Sequence, residues 1–407
     1  MQTPLLELGS SLRACPPEQT LARARRLMPA HGITRVSDIT RMDRLGLPVY
    51  ASIRPAGRAL CVHAGKGLRA VEAETGAVME ALEFAAADPA RSDWRRHDLP
   101  VAELAAQFGD GLGWLDFAPR YGQRVHGRQR VAALACEALS GPPRQVLLPA
   151  ELVFVPWDGD GDTPPLFGWS SNGLASGNTV EEATVHALLE VMERDTLALN
   201  RAADASRAID TATLPAPFAE LAERWAAAGV RLSVRWLPGA FGLPCFGAWL
   251  HEADSADVNI AAGSGLHPQP RVALARAVCE AAQARLSLIH GGRDDITGFY
   301  AKYQGAPRDE RRSAESRLLA RLFDRAGQVA WADVPAGPPA AGDAAALQAQ
   351  LLGLLAARGF PAAFRHHFAL DLDGLAVVRL VVPRCENTEH GARRLGPRLL
   401  QQALAHA

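Results

Sequence analysis

Two periodicities divide the chain. Runs in which apolar residues alternate or follow one another read as strands: PVYASIRP (48–55), ALCVHAG (59–65), LVFVP (152–156), VRLSVRWLP (230–238), CFGAWLHE (245–252), VNIAAGSG (258–265) and LAVVRLVVP (375–383). Helical spacing covers 17–28, opened by Pro16 and Pro17, and then 70–87, 180–200, 268–290, 306–326, 344–358 and 391–405. A short apolar stretch at 131–139 reads as an element packing on the sheet. The most informative stretch is WSSNGLASGNTVEEATVHALLEVMERDTLALN (169–200), a Gly/Asn/Ser loop that opens into a long amphipathic helix. At about 3.6 residues per turn, Glu182, His186, Glu190 and Glu193 share about a quarter of the circumference, while Val185, Leu188, Leu189 and Met192 point elsewhere. GAVMEALEF gives a second helix the same spacing with Glu80 and Glu83, and RVALARAVCEAAQARL sets Arg276, Glu280 and Gln283 on one face of a third.

Taken singly, these features are ordinary. An ExxE on an amphipathic helix reads as a solvated face, and Thr179 with Glu182 spells a capping box. Arg194 and Glu190 make an i,i+4 pair. Lys66 and Arg13 read as surface charges, Thr20 as a plain helix residue, Asn178 as a turn residue and His186 as a core or rim histidine. Their conjunction changes the picture. Glycine loops precede both ExxE helices, where the helix dipole favours anions. Five glutamates (Glu80, Glu83, Glu190, Glu193 and Glu280) brought together would repel one another unless divalent cations neutralised them. Three helices offering carboxylates, or a carboxylate with an arginine, suit Mg²⁺ and a polyphosphate. The GKG at 65–67 lacks the GxxxxGK[ST] frame, so it is not a Walker A loop. KGL before MEALE and NGL before LEVMER keep one order of glycine loop, helix and ExxE, with spacers differing by four residues, which hints at two duplicated half-sites around one cavity.

Composition narrows the classes. With 407 residues the chain can form one large domain or two, and a net charge of −1 with pI near 6.9 leaves no footprint for nucleic acid or an anionic membrane. No apolar run is long enough to span a bilayer and no signal-peptide pattern is visible, which makes the cytoplasm the default location. The six cysteines are scattered, without CxxC or zinc spacing, and read as small buried apolar groups. WDGDGDTPP (157–165) lacks the closing glutamate of an EF-hand and reads as a surface turn.

Several stretches together resemble the YcaO family: ITRVSDITRMDRLGLPVYASIRP, GKGL, SNGLASGN, EEA, LLEVMERD and RAVCEAAQARLSLIHGGRDDI. The likeness runs over roughly residues 10–300, with a weaker echo at VVRLVVPRCEN. It implies an α/β YcaO-type fold with mixed or antiparallel sheets and helices around a central ATP/Mg cleft. A catalytic core is expected at 1–305 and C-terminal helical segments with a strand returning to the core at 306–407. It implies ATP and Mg²⁺ as cofactors, with Glu80, Glu83, Glu190, Glu193 and Glu280 holding the metal. Lys66, Asn178, Glu182, Arg194 and Arg276 are expected to contact ATP, with Arg13 and Thr20 near its phosphates or ribose; no residue is assigned as catalytic acid, base or nucleophile. The implied activity is ATP-dependent activation of a peptide backbone amide. Two departures matter. Gly76 and Phe84 stand where the family often has Ser and Arg, and the chain closes on LLQQALAHA rather than the proline-rich tail of azoline-forming members. Thioamide formation is therefore the favoured reaction, acting on a peptide or protein with a sulfur donor and a TfuA-like or leader-binding partner, and a homodimer is left open. An azoline-forming cyclodehydratase and a non-catalytic peptide- or partner-binding scaffold are the alternatives.

Overall fold

Three antiparallel sheets, each with a terminal strand that turns directly into a long helix, surround one cleft in the computed structural model, which describes residues 4–109, 111–159, 165–252, 260–293, 316–369, 372–388 and 394–406. The chain begins with a small hairpin of β1 (Leu6–Glu7) and β2 (Leu12–Arg13), and α1 (Pro17–Leu27) follows. Pro17 stands in the first turn of α1, where its missing N–H costs nothing.

The first sheet has the order β3 (Arg35–Asp38), β4 (Val49–Ile53), β5 (Val62–Lys66), and β5 leads into α2 (Ala70–Ala86). The second contains β6 (His97–Pro100), β7 (Arg130–Ala138) and β9 (Leu174–Gly177), with β8 (Gln145–Pro149) paired to β7; the short helix α3 (Val101–Ala105) follows β6, and α4 (Val180–Ala202) follows β9. After β10 (Arg207–Ala208) and α5 (Phe218–Ala227), the third sheet is completed by β11 (Val230–Trp236), β12 (Cys245–Glu252) and β13 (Ile260–Leu266), and β13 leads into α6 (Pro270–His290). The helix α7 (Ala344–Ala357) comes next. Then β14 (Phe364–His367) and β15 (Ala376–Val381) insert between β7 and β9 of the second sheet, and α8 (Pro397–Ala405) ends the described chain.

Each strand-to-helix unit closes on glycine. A Cβ on Gly65 would lie 2.0 Å from the Ala73 carbonyl oxygen and 2.1 Å from the Ala77 nitrogen of α2. On Gly177 it would lie 2.6 Å from the Ala183 nitrogen of α4, and on Gly265 2.1 Å from the Ala73-equivalent carbonyl of α6, that of Ala273. Glycine here permits backbone contact between strand and helix. The apolar cores lie on the same seams. One joins α2 to β7 and the aromatic residues Phe108, Phe117, Phe154 and Phe364; another joins α6 to β11 and β12; a third joins α4 to β15 and α7.

Several expectations need correction. The run at 152–156 is buried but is not a strand: Ala150–Leu152 is a 3-10 turn, and Val153, Phe154 and Val155 follow it into the core. Burial alone does not fix strand geometry, and this segment caps a sheet instead of joining it. The stretch at 131–139 is not laid on a sheet but is β7 itself, paired with β6, β8 and β14. The duplication also has a different register and one more copy. Gly67 corresponds to Gly177 rather than to the Gly173 of NGL, and β13–α6 makes a third unit. The helical run expected at 306–326 is described only from 316, where residues 316–322 are helical; residues 306–315 and 160–164 lie outside the described residues.

Candidate functional site

The three units share a numerical frame that positions the site. Glu80 and Glu83 lie ten and thirteen residues after Ala70, the first residue of α2; Glu190 and Glu193 stand ten and thirteen after Val180; Glu280 and Gln283 stand ten and thirteen after Pro270. Equal depth along three helices that start beside one another brings these six side chains into one cavity of about 800 Å³. Lys66, Asn178, Glu182, His186, Arg194, Arg276, Arg13 and Thr20 line it as well.

The strand of each unit serves the carboxylate of the one before. Ser176 of β9 donates its hydroxyl to Glu83 at 2.6 Å, and Ser264 of β13 donates to Glu193 at 2.6 Å. Glu193 also accepts the Leu266 N–H at 3.0 Å and is 1% exposed. On α6 Gln283 stands in place of the glutamate, and the Ala64 N–H of β5 is given to Glu80 at 2.7 Å. Burial pushes the Glu83 carboxyl up to about 8; the Ser176 hydroxyl opposes this, and the charges of Glu80 and Glu190 add to it. A buried carboxyl crowded by two others is a place where a cation restores ionisation.

Basic groups balance the other side. Lys66 Nζ lies 3.2 Å from Glu280 Oε2, and Arg194 lies 3.8 Å from Glu280 and 3.9 Å from Glu193. Burial alone would raise Glu280, but Lys66, Arg194 and Arg276 outweigh it and hold the carboxyl below its ordinary range. Arg194 is thus paired across helices rather than confined to an i,i+4 contact with Glu190. Arg276 Nη1 stands 3.4 Å from His186 Nε2. Burial, then Arg13, Arg276 and Lys66, push His186 well below its usual value, which leaves a neutral ring among cations.

The N-terminal arm closes one end. Arg13 donates to Glu182 Oε1 at 3.1 Å, and the Ala14 N–H donates to Glu182 Oε2 at 2.9 Å. Thr20 donates to Asn178 Oδ1 at 2.8 Å, Arg23 bonds the same oxygen, and Asn178 Nδ2 donates to Glu182 at 3.0 Å. Ser10 reaches Glu72 Oε2 at 3.0 Å. Arg13 is therefore not a free solvated charge and Thr20 not a plain helix residue. Glu182 does take the N-terminal helix position opposite Thr179, whose hydroxyl accepts the Glu182 N–H at 3.1 Å, but its carboxylate serves the arm.

All twelve expected side chains thus face one cavity. The side chains are not, however, drawn into a ready metal cage: among the described residues no group of three His, Cys, Asp or Glu side chains stands close enough to hold an ion. The donor chemistry fits Mg²⁺ nonetheless, since the set is all carboxylate oxygen and Glu83 is a carboxyl pushed up to about 8 by burial, with Glu80 and Glu190 adding to the shift. Sequence reading missed Ser176, Ser264, Arg23 and Glu72, although the two serines precede glycine identically in SGN and SGL. Gly76 has room: a Cβ there would meet Gly65 Cα at 3.4 Å and Lys66 N at 3.7 Å. Phe84 packs on His63 with ring centroids 4.9 Å apart, where no arginine is needed.

Comparison with known proteins gives a consistent result. The family model described as YcaO cyclodehydratase, ATP- and Mg²⁺-binding, matches residues 64–386. A Rhizobium leguminosarum bv. trifolii protein known as the uncharacterized protein in the tfuA 3′ region is 35% identical over 303 residues, 70% of this chain and 69% of that protein. An uncharacterized Mycobacterium tuberculosis protein is 33% identical over 298 residues; the match takes in 71% of this chain and 64% of that protein, less than two thirds of its length. The structure of YcaO from Methanopyrus kandleri bound with AMPPCP and Mg²⁺ superposes with a TM-score of 0.76 at 25% identity, covering 97% of this chain and 98% of that one.

Proposed function

Because this chain belongs to the YcaO family, whose members bind ATP and Mg²⁺, we propose that it uses ATP to activate a backbone amide of a peptide or protein, most specifically to convert it to a thioamide. The observation that carries this reading is the meeting of five glutamates from three helices in one cavity with Lys66, Arg194 and Arg276. Such a set suits a triphosphate with its cations and little else of comparable size.

An amide carbonyl is a poor electrophile. A hydrosulfide nucleophile adds to the carbonyl carbon, and the oxygen anion so formed attacks the γ-phosphorus of ATP, releasing ADP. Loss of phosphate with a proton from the adduct leaves the C=S bond, so the amide oxygen departs in phosphate. Glu80, Glu83, Glu190, Glu193 and Glu280 would hold Mg²⁺, which when bound offsets phosphate charge. Lys66, Arg194 and Arg276 supply fixed positive charge at the phosphates, and Asn178 and Glu182, tied to Arg13, Thr20 and Arg23, fix the arm over the nucleotide. The neutral His186 ring sits beside Arg276 and orients that guanidinium. A TfuA-like partner supplying sulfur is supported by the Rhizobium relative, which is named for its place beside tfuA.

The test is to incubate the protein with ATP, Mg²⁺, a sulfide source, the partner and a candidate peptide, and to follow ADP and peptide mass. Exchange of oxygen for sulfur supports the reading; loss of water supports azoline formation by a neighbouring Cys, Ser or Thr. Calorimetry without any Mg²⁺-dependent ATP binding contradicts both and leaves a scaffold.

A further inference from the structure

The cavity does not end at the carboxylates. Along α2 it is lined from Glu72, which the N-terminal arm touches, to Phe84, a span of twelve residues or about 18 Å at the helical rise. That is more than three turns, and the chemistry changes along it. Its apolar lining includes Leu60, Met79, Phe84, Trp157 and Trp169, and Arg120 lines the same cavity. The place of this lobe is fixed by the chain on either side: the Val155 N–H bonds the Ala87 carbonyl at the end of α2, which sets Trp157 there, and Arg120 N–H bonds the Leu166 carbonyl at 2.9 Å. The Arg120 side chain lies along Gly168, where a Cβ would come within 3.4 Å of its Cδ.

Two features stand out. Trp169 is 38% exposed although it lines a cavity whose other apolar members are largely covered. Arg120 is half-buried, yet among the described residues its guanidinium meets no carboxylate and no hydrogen-bond acceptor, unlike Arg13, Arg194 and Arg276 in the same cavity. A half-buried guanidinium in an aromatic setting is a fork for a carboxylate, and the flat walls beside it suit an apolar side chain.

We infer that this lobe is the substrate subsite: it seats a peptide segment that carries an apolar or aromatic side chain with a carboxylate one or two residues away, and Arg120 receives that carboxylate. The inference rests on the amide-activating reading of the carboxylates, because these residues line one cavity with Glu83. A side-chain carboxylate and a chain-terminal one share this chemistry.

Three synthetic hexapeptides separate the cases: acetyl-Gly-Leu-Gly-Phe-Asp-Gly-amide, its Asn counterpart, and the Asn peptide with a free C-terminal carboxylate. Binding is read by fluorescence anisotropy of labelled peptides on the full chain, with Mg²⁺ and AMPPCP present. The expected result is that a carboxylate-bearing peptide binds about tenfold more tightly than the neutral Asn amide, the worth of one charge-assisted pair. The Asp peptide leading points to a side chain, the free-acid peptide to a chain end. Arg120→Gln should erase that preference and Trp169→Ala weaken all three peptides, with circular dichroism confirming that both variants fold. Equal binding of all three peptides, a preference that survives Arg120→Gln, or no saturable binding overturns the inference. Calorimetry of Mg²⁺-ATP on the unaltered protein tells this failure apart from failure of the nucleotide reading.

Discussion

The first two strand-to-helix units and the third are built on one plan but differ at one helix position. Ser176 meets Glu83 and Ser264 meets Glu193, each at 2.6 Å, whereas Gln283 stands at the corresponding place on α6. The position of Gln283 follows from its neighbours on α6: Glu280 reaches Lys66 at the end of β5, and Leu286 packs with Val62 at its start. The third unit's carboxylate, Glu280, is met by cations from all three units: Lys66 of β5, Arg194 of α4 and Arg276 of α6 itself. One repeated scaffold thus carries paired carboxylates in two units and a carboxylate set among cations in the third. Full threefold repetition would add a sixth carboxylate at the repeated helix positions, in a cavity where Glu83 is already pushed up to about 8.

The sharpest way to break this comparison is to remove the acidic sides. Glu83→Ala and Glu193→Ala should each lower ATP turnover by about a hundredfold or more, as expected for first-contact metal ligands, measured as ADP release. Gly65→Ala tests the shared plan itself. Its Cβ would sit 2.0 Å from the Ala73 oxygen, so urea denaturation should reveal a loss of about 3 kcal/mol or complete misfolding. Gly76→Ala, with 3.4 Å of clearance, should change stability by less than about 1 kcal/mol.

A smaller effect distinguishes the third unit's loop. Where the others carry Gly67 and Gly177 three residues before the helix begins, this unit carries His267, whose ring is pushed down to about 3 by burial and by Arg276. Its folded-state value lies below the unfolded one of about 6.5, so its contribution is present above that pH and is lost as pH falls. Between pH 7 and 5 the loss should approach about 2 kcal/mol, and His267→Asn should flatten the slope of stability against pH. Smallest are the hydroxyls. Ser176→Ala and Ser264→Ala should each weaken Mg²⁺ binding several-fold, about 1 kcal/mol. Gln283→Glu, one more carboxylate beside the others, should cost about 1 kcal/mol.

How much of this was legible in the chain depends on sequence distance. Helical period and fixed spacing exposed Glu80, Glu83, Glu190, Glu193 and Glu280, because 3.6 residues per turn sets neighbours on one face regardless of tertiary context. The roles of Arg13 and Thr20 could not be read that way: their partners Glu182 and Asn178 lie 169 and 158 residues further on. The family likeness pointed to them, and only through their spacing from the motifs that carry it. The 152–156 run misled because apolar character records burial, and here the backbone turns within the core instead of extending. The third repeat was hidden because its helix replaces the second glutamate with Gln283, which removes the ExxE that marked the other two.

The most direct test of the central claim is calorimetric titration of ATP, with and without Mg²⁺, into the unaltered protein and into Glu80→Gln, Glu190→Gln and Glu280→Gln, one from each helix. If three units build one site, ATP binds only with Mg²⁺ and each variant weakens it by about tenfold or more. Unchanged Mg²⁺-dependent affinity in any one of the three would contradict the account.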